Sequence, residues 1–394
     1  MSDHDVVIVS AQRTPIGAFQ GALSPLSGTQ LGSVAIKGAI AAAAVKPGDI
    51  QEVIMGNVLS AGLGQAPARQ AALGAGLPAS TSALTVNKMC GSGLKAVMLA
   101  SDQIRSGDIE VAVAGGLESM TNAPYLLTKA RSGYRIGNGE IIDHMMYDGL
   151  SSPWDGKSMG CFADATAAKY NFTRAQQDTY AAESVRRAMR AVESGDFDRE
   201  VTPVTVKSRK GDVVISRDET PATCNIEKIP SLKPAFDKDG TVTAASSSSI
   251  SDGAAALVLM SAAAAKARGL KPLARVLAHS TYSQEPEWFT LAPIGAIKKT
   301  LSKLGWRPND ADLYEINEAF AVVTMATMRD VDIEHGRVNV NGGACALGHP
   351  IGATGARILT TLIHALHRRG GKRGIASLCL GGGEAVAVAV EVIP

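Results

Sequence analysis

The sequence predicts an α/β protein with covered β-sheets, made of two duplicated halves and a loop-rich segment inserted into the first half. Three observations carry this prediction. Apolar runs typical of strands alternate with segments of helical periodicity. One pattern of strand, glycine-rich turn, helix and strand occurs twice along the chain. The residues between the two copies hold many charges, prolines and glycines and end in a serine-rich run.

The first half begins with alternating elements. Short apolar runs at residues 6–10, 52–55 and 111–114 predict strands. The amphipathic pattern of residues 31–44 predicts a helix between the first two of these strands. Alternation of this kind favours sheets that are covered by helices.

The repeated pattern begins at Thr85 with TVNKMCGSGLKAV and again at Asn339 with NVNGGACALGHPIGATGAR. Each copy is expected to start as a strand and to pass through a glycine-rich turn into a helix that ends at an arginine and a glycine. The apolar residues that share one face of these helices are Leu94, Val97, Met98 and Ile104 in the first copy and Ile358, Leu359, Leu362, Ile363 and Leu366 in the second. The repetition indicates an internal duplication, in which the second copy has an extra loop that carries His349.

The change in composition sets the predicted domain boundaries. These are an N-terminal core half of residues 1–120 and 250–271, an inserted loop domain of residues 121–249, and a C-terminal core half of residues 272–394. The inserted domain contains one predicted helix, at residues 173–194. A long irregular segment inside a compact protein usually serves as a lid or a binding region.

Composition narrows the classes of function. The 394 residues carry a formal net charge of +2 with scattered basic residues, so no nucleic-acid partner is expected. No run approaches the roughly 20 apolar residues of a membrane span, and the acidic start MSDHDVVIVS is unlike a targeting segment. Five widely spaced cysteines without a C-x-x-C pair predict reduced thiols, with neither disulfides nor a metal site. We therefore expect a cytoplasmic protein without a membrane role.

Cys90 is the first candidate for chemistry. It directly precedes a predicted helix, where the helix dipole and free backbone N–H groups favour the thiolate. A nucleophile fits this position, although a packed core cysteine between small residues fits it as well.

Three further stretches offer partners for a thiol. His349 lies in a loop with few side chains that would cover its ring, and a base for Cys90 is one interpretation. Cys345 in the same loop is expected to pack rather than react. Cys379 ends an apolar strand before three glycines, of which Gly381 is the first, and their N–H groups are candidates for an oxyanion hole. Asn317 is either a helix N-cap or a ligand for a water or a carbonyl.

Two thiols together allow a specific chemistry. One thiolate attacks a thioester and carries the acyl group, while the other exchanges a proton with the carbon beside a second thioester carbonyl. The pair forms a carbon–carbon bond without a cofactor. Hydrolysis of a thioester through Cys90 and His349 stays open from these residues alone, because water and a carbanion can both intercept an acyl-enzyme.

The four stretches resemble the thiolase family. NKMCGSGLKAV, NEAFA, NGGACALGHPIGATGAR and LCLGGG are similar to the family's four active-site blocks, in the same order and over essentially the whole chain. The resemblance is greatest to the short-chain members that act on acetyl-CoA and acetoacetyl-CoA. It implies a five-layered fold of two duplicated halves, and the reversible, ping-pong conversion of two acetyl-CoA to acetoacetyl-CoA and CoA. No cofactor is implied beyond the CoA thioesters, which are substrates.

The resemblance also implies a role for each candidate residue. Cys90 would be acylated, with His349 as the group that activates it and contributes to a first oxyanion hole. Asn317 would hold a water that completes this hole. Cys379 would take the proton from the methyl carbon of the second acetyl-CoA. The N–H groups of Cys90 and Gly381 would bind the oxygen of the acyl-enzyme.

The inserted domain would bind CoA and join subunits. The matching positions for the acyl and pantetheine tunnel are Leu150, Met159, Phe236, Ala244 and Ser248 in this domain and Ala319 and Phe320 in the second half. Residues 129–140 lie where tetrameric members carry the loop that joins two dimers, which implies a homotetramer.

The chain departs from the family pattern near the tunnel. Ser158 stands where the short-chain members usually have histidine, residues 245–248 are Ala-Ser-Ser-Ser, and Glu384 follows the glycines where methionine is common. These changes keep two alternatives open: a longer-chain 3-ketoacyl-CoA thiolase of fatty-acid β-oxidation, and a thiolase-like binding protein without catalysis.

Overall fold

The structure is a computed structural model that describes residues 2–393. Its helices are α1 (Gly28–Ala43), α2 (Pro67–Gly74), α3 (Ser92–Ser106), α4 (Met159–Tyr170), α5 (Arg174–Glu193), α6 (Ala262–Ala267), α7 (Ala292–Leu304), α8 (Ala321–Val331), α9 (Ala344–Leu347) and α10 (Thr354–Arg369). Its strands are β1 (Val6–Arg13), β2 (Gly17–Ala18), β3 (Glu52–Gly56), β4 (Ser82–Val86), β5 (Val111–Ser119), β6 (Tyr125–Leu126), β7 (Ile142–Asp143), β8 (Val204–Val206), β9 (Val213–Ile215), β10 (Ser251–Ser261), β11 (Ala274–Ser283), β12 (Leu313–Ile316), β13 (Arg373–Leu380) and β14 (Glu384–Val392).

The main strands follow one path in two parts. The N-terminal part has the order β4–β3–β5–β10–β1, and the C-terminal part has the order β12–β13–β14–β11. The two parts meet where β1 pairs with β11 over Val7–Arg275 and Ile8–Ala274. Because so few residues join them, each part acts as a sheet of its own.

The two parts repeat one pairing scheme, as the predicted duplication requires. In the first part β3 and β5 are parallel, and β5, β10 and β1 are antiparallel neighbours. In the second part β12 and β13 are parallel, and β13, β14 and β11 are antiparallel neighbours. Within residues 2–393, the second part has only the single bridge Tyr314–Val338 at the place of β4.

The prediction of a strand that starts at Asn339 is wrong. Asn339 has a positive φ of 47°, which turns the chain away from the sheet. Its side-chain amide replaces the missing strand: Oδ1 accepts a hydrogen bond from the N–H of Ile316 at 2.8 Å, and Nδ2 donates to the carbonyl of Ile316 at 2.8 Å. The backbone N–H and carbonyl groups of Ile316 at the edge of β12 therefore form their hydrogen bonds with a side chain instead of with a strand. The pattern of apolar residues in the sequence does not reveal this arrangement.

The elements form five layers, as predicted. Helices α1 and α2 cover the outer face of the N-terminal sheet, and α7, with α8 beside it, covers the outer face of the C-terminal sheet. Helices α3 and α10 lie between the two sheets and pack against both. The predicted apolar faces of these two helices are buried in this central layer.

The segment between β5 and β10 stands outside the main sheet. It forms the strand pairs β6–β7 and β8–β9 and the helices α4 and α5. The helix predicted at residues 173–194 is α5, whereas α4 was not predicted, because its sequence has only a weak apolar face. The domain boundaries at 120, 249 and 271 stay a prediction. Within residues 2–393, no helix combines the length and the apolar character needed to cross a membrane.

Glycines allow the two central helices to touch at their N-termini. A Cβ atom on Gly93 of α3 would lie 2.9 Å from the backbone nitrogen of Ala356 and 3.1 Å from the carbonyl oxygen of Gly352. A Cβ atom on Gly355 of α10 would overlap the backbone of Leu94. Since backbone atoms cannot move aside as a flexible side chain does, these positions require glycine.

The contact predicts the effect of Gly93→Ala. Alanine in a helix is favoured over glycine by about 1 kcal/mol, but the overlap with the backbone of α10 costs roughly 1–3 kcal/mol in a well-packed interior. We expect the overlap to dominate and Tm to fall by about 2–4 °C in a calorimetric scan.

Gly48→Ala is the control for this substitution. Gly48 has a negative φ and no atom within 4 Å of a Cβ added to it. Its Tm is expected to match or exceed that of the unaltered protein. A Gly93→Ala variant that is equally stable would show that the helices have room to separate.

Candidate active site

Cys90 lies in a tight turn between β4 and α3. The N–H group of Lys88 donates to Ser92 Oγ at 2.8 Å, and the Ser92 hydroxyl donates to the carbonyl of Met89 at 2.6 Å. Met89 has a positive φ of 46°, which is unusual for a residue with a side chain. The turn thus holds Cys90 immediately ahead of the N-terminus of α3.

The thiol of Cys90 is in its neutral form at neutral pH. Burial raises its pKa to about 11, the N–H groups of Gly381 and of Cys90 itself act in the opposite direction, and the negative charge of Glu118 adds to the increase. These N–H groups favour the thiolate, as the sequence predicts for this position, but burial outweighs them and the net pKa is raised. The two N–H groups nevertheless face the sulfur, as an oxyanion hole at this position requires.

Cys379 is the second thiol of the site. It is fully buried near the end of β13, and its pKa is raised well above the ordinary value by burial and by the nearby Cys90. The turn that follows is built from glycines, with positive φ values of 94° at Gly382 and 87° at Gly383. The structure therefore brings Cys90, Cys379 and Gly381 together.

His349 is a buried, neutral imidazole. Burial lowers its pKa to about 3, with a further contribution from the positive charge of Arg357. Its Nδ1 atom lies 2.6 Å from Oγ1 of Thr354, whereas Nε2 has no hydrogen-bond partner among the described residues. Nε2 is thus the atom that is free to act on a ligand.

Thr354 determines which tautomer His349 adopts. The Thr354 hydroxyl donates its one proton to the carbonyl of Pro350 at 2.9 Å. It can then only accept from Nδ1, so Nδ1 carries the imidazole proton and Nε2 presents a lone pair. A lone pair at Nε2 is what a base for a thiol needs.

Asn317 is not a helix N-cap. It follows β12, donates its N–H to the carbonyl of Ser377 at 3.0 Å, and lies four residues before α8, whose N-cap is Phe320. The residue is buried, and neither polar atom of its amide has a partner within residues 2–393. Because an unpaired buried amide costs about 1–3 kcal/mol, this group is suited to hold a water or a ligand.

Glu118 is a buried acid that motif analysis did not single out. It accepts hydrogen bonds from the N–H groups of Val58 (3.0 Å), Leu59 (3.2 Å) and Gly352 (2.8 Å), and from the amide of Asn57 (2.6 Å). Burial raises its pKa to about 7, although these hydrogen bonds oppose the increase. Its position at the end of a strand, two residues after a Gly-Gly pair, was the only signal in the sequence. Glu118 ties the loop of His349 to the N-terminal sheet.

A cavity of about 380 Å³ opens onto His349. The residues that line it include the predicted positions Leu150, Met159, Phe236, Ala244, Ser248 and Phe320. The rings of Phe236 and Phe320 meet edge to face with their centroids 5.7 Å apart, and Phe320 and Ala319 belong to one apolar cluster with Cys379. Sequence analysis missed several lining residues, namely Met120, Met146, Ser249, Ile250 and Ile351, since nothing distinguishes them from ordinary core positions.

A second cavity of about 500 Å³ lies beside the glycine turn. Its lining includes Met89, Gly381, Gly382 and Trp154, and it shares Met159 with the first cavity. Each cavity therefore borders neighbours of the two thiols, with His349 in the lining of the first and Met89 and Gly381 in the lining of the second.

The fold and this site define an acyltransferase. Residues 6–263 match the model of the thiolase N-terminal domain, and residues 270–392 match that of the thiolase C-terminal domain. The chain belongs to the thiolase family. The prediction of an acyltransferase of this family is therefore confirmed.

Similar proteins support the assignment over the whole chain. The acetyl-CoA acetyltransferase of Cupriavidus necator is 50% identical over 389 residues, which are 98% of this chain and 99% of that protein. A crystal structure of the acetyl-CoA acetyltransferase of Bacillus anthracis has a TM-score of 0.97 and 44% identity, and covers 99% of both chains. A thiolase from Ascaris suum in complex with coenzyme A has a TM-score of 0.94 and 43% identity, and covers 99% of this chain and 100% of that one.

The site predicts how His349 behaves with pH. We expect ¹⁵N NMR of labelled histidine to show a protonated Nδ1, a bare Nε2 and no titration of this ring between pH 8 and 5, because its pKa is about 3. The unfolded chain binds a proton near pH 6.5, whereas the folded chain does not. The contribution of His349 to stability is therefore complete above pH 6.5 and decreases as the pH falls toward 3.

Variants test the origin of this tautomer. Loss of a ¹⁵N signal in His349→Gln assigns that signal to His349. Thr354→Val removes the oxygen that accepts a hydrogen bond from Nδ1, so the population of the Nε2-protonated tautomer should increase. Thr354→Ser keeps the oxygen and should retain the original tautomer. A protonated Nε2 in the unaltered protein would contradict the hydrogen-bond assignment.

Proposed function

We propose that this protein is an acetyl-CoA C-acetyltransferase, which converts two molecules of acetyl-CoA to acetoacetyl-CoA and CoA in a reversible reaction. The observation that carries the proposal is the pair of neighbouring thiols, half-buried Cys90 and buried Cys379, beside the N–H group of Gly381. The relatives named above are acetyl-CoA acetyltransferases that match nearly the full chain. Their names give no support to the longer-chain alternative.

The first half-reaction forms an acetyl-enzyme. Nε2 of His349 takes the proton of the Cys90 thiol as the sulfur attacks the thioester carbon of acetyl-CoA. CoA leaves as a thiol with that proton, and the acetyl group stays on Cys90. A water held by Asn317 and the ring of His349 stabilise the oxyanion of this step.

The second half-reaction forms the carbon–carbon bond. Nε2 of His349, which is free again once CoA has left, takes the proton of the Cys379 thiol. The Cys379 thiolate removes a proton from the methyl carbon of a second acetyl-CoA, and the resulting carbanion attacks the carbonyl of acetyl-Cys90. The bond between this carbonyl carbon and the Cys90 sulfur then breaks, and His349 returns its proton to the Cys90 sulfur, so that both thiols are restored. The N–H groups of Cys90 and Gly381 bind the oxyanion, and the raised pKa of Cys379 makes its thiolate a strong base.

The substrates need no additional cofactor, since both chemical steps use thiols of the protein. We assign the CoA and acyl tunnel to Leu150, Met159, Phe236, Ala244, Ser248, Ala319 and Phe320. The cavity that most of these residues line supports the assignment, and a solved relative is in complex with coenzyme A.

We further infer a homotetramer in a reducing, cytoplasmic compartment. The segment around residues 129–140 exposes apolar side chains, with 96% of Ile136 and 66% of Ile141 accessible. Exposed apolar groups in one segment favour contact with another subunit. All five cysteines are free thiols, which suits a compartment without disulfide formation.

The proposal is tested by the range of substrates. CoA-dependent cleavage of acetoacetyl-CoA, followed spectrophotometrically, is compared with cleavage of 3-ketoacyl-CoA substrates of six and ten carbons. We expect efficient turnover of acetoacetyl-CoA and a kcat/KM at least about tenfold lower for the longer substrates, because the tunnel is lined by bulky apolar side chains. Equal turnover of the ten-carbon substrate would favour the longer-chain alternative, and release of CoA from acetyl-CoA without acetoacetyl-CoA would show a hydrolase.

The two thiols are distinguished by substitution. Cys90→Ala should form no acetyl-enzyme with acetyl-CoA, as measured by mass spectrometry of the intact protein. Cys379→Ser should still acetylate Cys90 but lose more than about 10³-fold in condensation, because a serine hydroxyl is a much poorer base for carbon. Cys345→Ser is the matched control, since Cys345 is a buried thiol with no proposed role. A Cys379→Ser enzyme that condenses acetyl-CoA normally would overturn the assignment.

A further inference from the structure

An ion pair joins the two loops that carry the reactive groups. Nζ of Lys88 lies 2.6 Å from Oε2 of Glu384. Lys88 is two residues before Cys90, and Glu384 directly follows the glycine turn that begins at Gly381. The pair therefore spans from the N-terminal half of the site to the C-terminal half.

Glu384 has a second anchor at the end of β11, where Ser283 is its partner in the strand pairing. The hydroxyl of Ser283 donates to Oε1 of Glu384 at 3.0 Å, and the N–H group of Gln284 donates to the carbonyl of Gly383 at 2.8 Å. Burial acts to raise the pKa of Glu384, but the hydrogen bonds from Lys88 and Ser283 and the positive charge of Lys88 outweigh it and lower the pKa. Glu384 is thus ionised at neutral pH, and both of its carboxylate oxygens have a side-chain partner.

The segments on either side of this pair need external support. Gly382 and Gly383 have positive φ values and no side chains that would fix the turn by packing. On the other side, Met89 holds a strained φ between Lys88 and Cys90. The N–H group of Gly381, whose direction depends on this turn, faces the thiol of Cys90.

We propose that Lys88 and Glu384 are positioning residues that hold the N–H group of Gly381 in line with the sulfur of Cys90. Neither side chain contacts the reacting atoms, and both act through the main chain of the two loops. The inference rests on the proposed function, in which this N–H group binds the oxyanion of the acetyl-enzyme.

The stability of the protein should depend little on this pair. The side chains are 22% and 32% exposed, and ion pairs at such positions contribute about 0–1 kcal/mol to folding. Catalysis is far more sensitive, because an oxyanion donor that is displaced by about 1 Å loses much of its effect in the transition state. Loss of the pair should therefore lower kcat and leave KM and Tm almost unchanged.

A double-mutant cycle tests the proposal. We expect Lys88→Met and Glu384→Gln each to lower kcat for acetoacetyl-CoA cleavage by about tenfold, with KM within about twofold and Tm within about 2 °C of the unaltered enzyme. The double variant should lose no more than either single variant, because the two residues act as one unit. A loss of kcat in the double variant that equals the product of the two single losses would overturn the proposal. Single variants whose kcat stays within about twofold of the unaltered enzyme would also overturn it.

Arg186→Met is the matched control. Arg186 forms an ion pair with Glu183 at 2.8 Å on the surface of α5, and it is 55% exposed. The substitution makes the same change of a long cation to methionine away from the site. Its kcat should equal that of the unaltered enzyme, and an equal loss of kcat in Arg186→Met and Lys88→Met would refute a specific role for Lys88.

Alkylation of Cys90 separates this inference from the proposed function. If the unaltered protein does not cleave acetoacetyl-CoA, the proposed function fails, but the rate at which iodoacetamide modifies Cys90 can still be measured by mass spectrometry. The N–H group of Gly381 lowers the pKa of this thiol, so its displacement in Glu384→Gln should slow alkylation at pH 8 by about threefold. Alkylation that is unchanged or faster would show that the ion pair does not position this group.

Discussion

The contact between the N-termini of α3 and α10 is the constraint on which the site depends. Cys90 directly precedes the first of these helices, and the loop of His349 leads into the second. Because Gly93 and Gly355 bring the two backbones into contact, the loops ahead of both helices are fixed relative to each other. Glu118 strengthens this arrangement by accepting from Gly352 and from the turn after β3. Cys90 and His349 are therefore positioned by contacts of the central layer of the fold.

Burial at this layer keeps the resting Cys90 thiol and the imidazole of His349 uncharged. The pKa of the Cys90 thiol is raised to about 11 and that of His349 is lowered to about 3, so both shifts oppose an ion pair of thiolate and imidazolium. Charge can then develop only when a thioester oxygen is present to share the hydrogen bonds of the site. In the proposed reaction, the burial of His349 and Cys379 beside Cys90 limits the access of water to an acyl group on Cys90. This favours transfer to carbon over hydrolysis, the alternative that the residue types alone left open.

Much of the fold and part of the site could be predicted from the sequence. Apolar periodicity located the strands and helices around the duplication, and the reactive candidates lie in short glycine-rich stretches with few other polar groups. Features that depend on three-dimensional neighbours could not be predicted in this way. The tautomer of His349 follows from the hydroxyl of Thr354, the edge of β12 is completed by the side chain of Asn339, and the direction of the Cys90 pKa shift reflects its burial. A pattern of residue types carries no information about these distances.

The duplication allows equivalent positions of the two halves to be compared. Strand β3 ends at Gly56, paired with Gly116, and β12 ends at Ile316, paired with Ser377, so the register matches Asn57 with Asn317 and Glu118 with Cys379. In the N-terminal half the amide of Asn57 donates to the carboxylate of Glu118, and the polar groups largely satisfy each other. In the C-terminal half a thiol replaces the carboxylate, and the amide of Asn317 has no partner within the described chain. The same backbone thus supports, in one half, a carboxylate whose two oxygens both accept hydrogen bonds. In the other half it presents an unpaired amide and a thiol, and the free energy left uncompensated there is available for binding substrate.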